Sequence, residues 1–167
     1  MEHTLLHRRL SADLAPTMLY ALLRLRVEVL VVEQGCPYQE LDDRDLDATT
    51  RHFWLAPFGD IEDVQATLRM LEPAEGQFRI GRICVAGHAR GKGAARRLLE
   101  AALAEVGDSS CVLDAQSHLT ELYGAFGFVP VGPEFLEQGV AHVPMRRERS
   151  ARMGWSTVGS QSATIVR

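Results

Sequence analysis

Ile83-Cys84-Val85-Ala86-Gly87-His88-Ala89-Arg90-Gly91-Lys92-Gly93-Ala94-Ala95 runs from an apolar stretch, through a glycine-rich basic loop, into a segment of helical periodicity. That order builds an anion site. Amides at a helix N-terminus point at a ligand with the positive end of the helix dipole behind them, and glycines let the backbone approach closely. Arg90 and Lys92, joined by Arg96 and Arg97, supply charge-assisted contacts. Two common phosphate motifs are excluded by counting. A P-loop needs four residues between its first glycine and the Gly-Lys pair, whereas Gly87 and Gly91 are separated by three. A dinucleotide fingerprint would need a glycine at Arg96.

Downstream, Ala95, Leu98, Leu99, Ala102, Leu103 and Val106 recur at helical spacing up to Gly107, the clearest helix in the chain. Cys111 to Ala115 reads as a buried strand, Ser117 as the cap of a helix through Tyr123, Gly127 to Val129 as the start of a strand and Val140 to Met145 as the last strand. Upstream, Gln77 to Ala86 is a central strand in which Gly81 marks a bulge or a close approach to ligand. His52 to Phe58 and Val64 to Leu71 form a hairpin around Gly59-Asp60, and His3 to Leu10 is a first strand. Ser11 to Asp13 with Pro16 starts a helix whose apolar residues Leu19 to Val31 carry it towards Gly35. The class is α/β in the α+β sense: a central mixed sheet flanked by helices.

At 167 residues, with 46% apolar and 24% charged residues, the chain has the size and composition of one globular domain, expected over residues 1–148, with 149–167 a weakly ordered tail. The net charge of −4 argues against a nucleic-acid partner. Arg24, Arg26 and Glu28 interrupt the most apolar segment, so no membrane span is expected; with no uninterrupted apolar leader, the location read is cytoplasmic. Cys36, Cys84 and Cys111 have no metal-ligand spacing and read as buried thiols. Asp42, Asp43, Asp45 and Asp47 crowd a polar loop without the glycine and glutamate of a calcium loop, and read as solvated.

Arg90, Gly93 and Ala95 also fit the pyrophosphate signature of the GNAT acetyltransferases, and Gln116, Tyr123 and Gly127-Phe128 repeat that family's later element, with glutamine in place of asparagine. Leu19-Tyr20-Ala21-Leu22-Leu23, Val31-Val32-Glu33-Gln34, Cys36-Pro37-Tyr38 and Arg51-His52 resemble the ElaA-like branch, so that the likeness runs from residue 10 to 148. The resemblance implies a GNAT fold, mostly antiparallel, and acetyl-coenzyme A as cosubstrate, bound by Ile83, Cys84, Val85, Arg90, Gly91, Lys92, Gly93, Ala94, Ala95 and Gln116. It implies direct attack of a primary amine, on a small molecule or peptide, with Tyr123 as general acid and Glu33, His52 or water as base. No metal is expected, and a covalent intermediate on Cys84 is disfavoured because no His-Asp partner set accompanies it. The acidic segment from Glu33 to His52 would steer a cationic amine. The competing reading is a GNAT-fold acyl-coenzyme A binding protein without transferase activity.

Overall fold

The computed structural model describes residues 4–148; the tail expected from residue 149 lies outside them. Strands β1 (Thr4–Leu10), β2 (Arg51–Pro57), β3 (Ala66–Ala74), β4 (Gln77–Val85), β5 (Ser110–Gln116), β6 (Val129–Pro130), β7 (Phe135–Glu137) and β8 (Val140–Arg147) form one sheet, in the order β1-β2-β3-β4-β5-β8-β6, with β7 on β8. Every pairing is antiparallel except β4 with β5.

Alternation along the strands divides the core between two faces. Leu68 and Met70 of β3, Ile80 of β4 and Leu113 of β5 meet Leu98, Leu99, Ala102 and Val106 of α2 (Ala94–Val106) on one face. Trp54, Ala56 and Cys84 meet Met18, Leu22 and Leu25 of α1 (Pro16–Arg26) on the other. Each leucine buried in this way contributes about 1.5–3 kcal/mol.

The first helix departs from the expected single run. It starts at Pro16 without a side-chain cap, because Ser11–Asp13 forms its own short turn and the Ser11 hydroxyl pairs with His52 Nε2 at 2.9 Å. After Arg26 it widens into a π-helical stretch, Val27–Glu33, closed by Cys36 N–H donating to the Val31 carbonyl five residues back at 3.1 Å. Ser117 caps no helix either. It lies in a short turn, Ser117–Leu119, donates its hydroxyl to Glu134, and α3 spans Thr120–Gly124. The bulge expected at Gly81 is present, but its left-handed backbone falls on Arg82 at φ 53°, where β4 inserts one residue against β3 between Thr67 and Arg69. The short β7 carries too few residues for a periodic signal and was not anticipated.

The acidic loop is not simply solvated. Arg26 from α1 bonds Glu40 and Asp45; Arg69 from β3 bonds Asp42 and Asp45; Arg82 from β4 reaches Glu40 at 2.8 Å. Arg26, Glu40, Asp45 and Arg69 are all buried, and only Asp43 and Asp47 of the four aspartates are exposed. Three cations cancel three anions, so the loop is tied to the sheet and its expected steering field is largely removed.

Candidate active site

Parallel β4 and β5 pair only at Gln77, Phe78 and Arg79 with Ser110, Cys111 and Val112. β4 runs on to Val85 and β5 to Gln116 without further pairing between them, so the two strands part. In a ladder, successive amides alternate between neighbours, and beyond Arg79 the half that would serve β5 faces the gap. A cleft of about 840 Å³ fills this opening and extends from Arg90 and Ala95 to Tyr123, Glu137 and His142.

At one end, the loop from Arg90 to Gly93 is exposed. Gly91 and Gly93 have φ +74° and +75°, in the left-handed region, and nothing lies within 4 Å of where a Cβ would stand on either. Gly93 precedes α2 without any side-chain cap, so the first amides of that helix stay open to an anion; the first intrahelical bond is Arg97 N–H to the Gly93 carbonyl at 3.0 Å. Ala94 and Ala95 occupy the first turn, and Lys92 Nζ folds back on the His88 carbonyl at 3.1 Å. Arg90 donates to the Val85 carbonyl at 3.0 Å and pairs with Glu33 at 2.6 Å. That hydrogen bond, with the Arg90 charge, holds the Glu33 carboxyl below the usual range.

In the middle, Ile83 and Val85 are half-buried on the cleft, and Cys84 is buried with its thiol pushed up to about 12 by burial. A thiol that is hard to ionise is a poor nucleophile. Tyr123 is buried edge-on to Phe128, ring centroids 6.2 Å apart, and burial pushes its phenol up to about 12. Its carbonyl accepts from Phe126 and Phe128 N–H at 2.9 and 3.2 Å, which fixes the backbone beneath the ring. Gln116 lines the cleft and donates to Gln34 at 3.3 Å, joining β5 to the end of the π-helical stretch.

The remaining wall is polar. Arg79 pairs with Asp114 at 2.8 Å, and the Arg82 guanidinium lies 5.6 Å above the Tyr38 ring, whose hydroxyl donates to Glu40. Burial and then Glu40 push the Tyr38 phenol up. Of the two side chains considered as base, Glu33 reaches the cleft but is held by Arg90, whereas His52 does not line it. His52 is 1% exposed, and burial pushes its imidazole down to about 4. His142, Arg82 and Glu137 were missed in the sequence, whereas Tyr38 falls in the Glu33 to His52 segment expected to face the acceptor. The strands of His142 and Arg82 were visible, but period-two alternation does not reveal which sheet face a cleft will use, and Glu137 sits on the short β7, which has no periodic signal.

A mixed sheet parted between two parallel strands, with an open, basic helix start at the gap, defines an acyltransferase-type fold. Residues 62–149 match the family model of the acetyltransferase (GNAT) domain. The chain is 55% identical over 152 residues to a UPF0039 protein of Mycobacterium tuberculosis, covering 89% of this chain and 96% of that one. It superposes on an acyl-CoA N-acyltransferase from Pseudomonas aeruginosa with TM-score 0.81 and 42% identity, covering 87% of this chain and 99% of that one. Against Escherichia coli ElaA the TM-score is 0.79 at 34% identity, covering 87% and 100%. The chain belongs to the GNAT acetyltransferase family, in its ElaA-like branch. Among the described residues no group of three or more metal-ligating side chains is gathered, and no helix is long and apolar enough to cross a membrane. The three cysteines are buried and free.

Proposed function

We propose that this protein is an N-acetyltransferase that takes acetyl-coenzyme A as donor and a primary amine of a small molecule or peptide as acceptor. The observation that carries the reading is the parting of β4 and β5 beside an uncapped helix start, because it opens one continuous cleft from an anion site to Tyr123. In this reading the backbone and cations of Arg90, Gly91, Lys92, Gly93, Ala94 and Ala95 hold the pyrophosphate. Ile83, Cys84 and Val85 line the pantetheine arm and offer backbone amides to the thioester carbonyl, where negative charge develops. Gln116 orients the same arm from β5.

The acyl thioester supplies the activated carbonyl. Tyr123, kept protonated by burial, gives its proton to the departing sulfur. The cleft walls bring the two reactants to one place and exclude water from the thioester. Residues 1–148 act together as the catalytic domain.

Gly93→Asp tests the anion site. Aspartate and asparagine tolerate left-handed backbone better than most residues, so the loop survives while a negative charge faces the pyrophosphate. Calorimetry should show coenzyme A binding lost in Gly93→Asp and largely kept in Gly93→Asn; equal affinity for the parent and Gly93→Asp would remove the loop from the site. Thiol release from acetyl-coenzyme A across a panel of primary amines then separates a transferase from a protein that only binds the thioester.

A further inference from the structure

The carboxylates that line the cleft are largely engaged by cations. Glu33 is held by Arg90, Asp42 by Arg69 and Arg82, and Asp114 by Arg79. An ion-paired carboxylate is stabilised in its charged form and gains little by taking a proton. Glu137 stands exposed beside the turn that joins β7 to β8. His142 is placed differently. It is half-buried on β8, directly opposite Gln116 of β5 on one side and Phe135 of β7 on the other.

Two contacts fix its ring. The imidazole stacks on Phe135, centroids 5.8 Å apart at 26°, and Nδ1 lies 2.9 Å from the Val140 carbonyl. A carbonyl oxygen only accepts, so Nδ1 carries the proton and Nε2 keeps its lone pair in the neutral ring. The face of the sheet matters as much as the tautomer. Ala115 of β5 packs into the same core as Tyr123, and strand alternation puts its neighbour Gln116, with the paired His142, on the opposite face. Both rings line the one cleft, the phenol from the α2 side and the imidazole from the other.

Resting on the transferase reading above, we propose that His142 is the general base: Nε2 takes a proton from the acceptor ammonium. The freed amine nitrogen then bonds to the thioester carbonyl carbon and the carbon–sulfur bond breaks. Tyr123 protonates the sulfur and is reprotonated by the second proton leaving the nitrogen. His142 returns the first proton to solvent, so one proton is released per acetyl group moved. The charged or titratable groups that share the cleft with His142 are Asp114 of β5 with Arg79 of β4, Glu137 of β7, Glu33 at the end of the π-helical stretch and His118, while Glu134 accepts from Ser117 next to Gln116.

Long-range 1H–15N spectra of histidine-labelled full-length protein read the tautomer without any acceptor. The signal assigned to His142 by its absence in His142→Gln should be the Nδ1–H form at alkaline pH; the Nε2–H form overturns the proposal. Turnover is then followed as thiol release from acetyl-coenzyme A with spermidine, phenethylamine, glucosamine and the dipeptide Ala-Ala. His142→Gln should lower kcat by about 10²–10⁴-fold. It should also change the pH profile of turnover, while coenzyme A affinity by calorimetry stays at the parent value. His142→Phe, which preserves the stack on Phe135, should behave in the same way and covers the case in which the glutamine variant folds poorly. An unchanged kcat and pH profile overturns the base, as does a loss seen in His118→Gln but not in either His142 variant. A parent that binds coenzyme A yet acetylates none of these amines sinks the transferase reading, and this inference with it.

Discussion

Arg69 grips Asp42 with both terminal nitrogens, at 2.6 and 2.7 Å, so a strand arginine pins the acidic loop to the sheet. The same guanidinium reaches Asp45 at 3.1 Å, and Asp45 in turn accepts from Arg26. Burial alone would raise the Asp45 carboxyl, but Arg26 and Arg69 outweigh it and hold the group below the usual range. Removing one partner leaves buried charge uncompensated, which costs about 3–5 kcal/mol. Asp45→Asn should lower the unfolding free energy by that order in a urea titration, and a midpoint equal to the parent's would show that the network is not stabilising.

Acid should weaken the fold through His52. Its imidazole is pushed down to about 4, first by burial and then by the charge of Arg26 against the opposing pull of Asp45. The folded chain therefore resists a proton that an unfolded chain accepts near 6.5. Stability from this group is complete above pH 6.5 and is lost as pH falls from 6.5 towards 4, by about 3 kcal/mol in all. Thermal unfolding across that window should show a steep loss in the parent and a shallower one in His52→Gln; parallel curves would rule the residue out. Asp42, drawn down to about 2 by Arg69, adds its loss only at lower pH.

Tyr123→Phe removes a hydroxyl and leaves the edge contact with Phe128 in place. Turnover should fall by about 10²–10⁴-fold with coenzyme A affinity unchanged. Because burial keeps the phenol protonated to about 12, Tyr123 should put no falling limb on the rate between neutrality and pH 10. Steady-state kinetics of the two proteins decides the role, and equal kcat values would reduce Tyr123 to a packing residue.

Neutralisation of the loop also changes what its acids do for an acceptor. Asp42, Asp45 and Glu40 were read as a negative field, but their charges are spent on Arg26, Arg69 and Arg82. Sequence distance hid this, because Arg69 and Arg82 lie on strands far along the chain from the loop that they bind. His142 was hidden by face: its strand was read correctly, but pairing with Gln116 and Phe135 decides that its ring enters the cleft.

Local order sufficed for the rest. The apolar strand, the glycine-rich loop and the helix with Leu98, Leu99, Ala102 and Val106 on one side follow each other in the chain, so their steric and periodic requirements are written in neighbouring residues. The motifs around Arg90 and Tyr123 marked the family for the same reason. Which carboxylates are paired, how far β4 and β5 part, and which histidine faces the gap depend on groups brought together from distant positions. Their energies exist only once the sheet has assembled and burial has raised the cost of every unpaired charge, and that is what the tertiary structure alone decided.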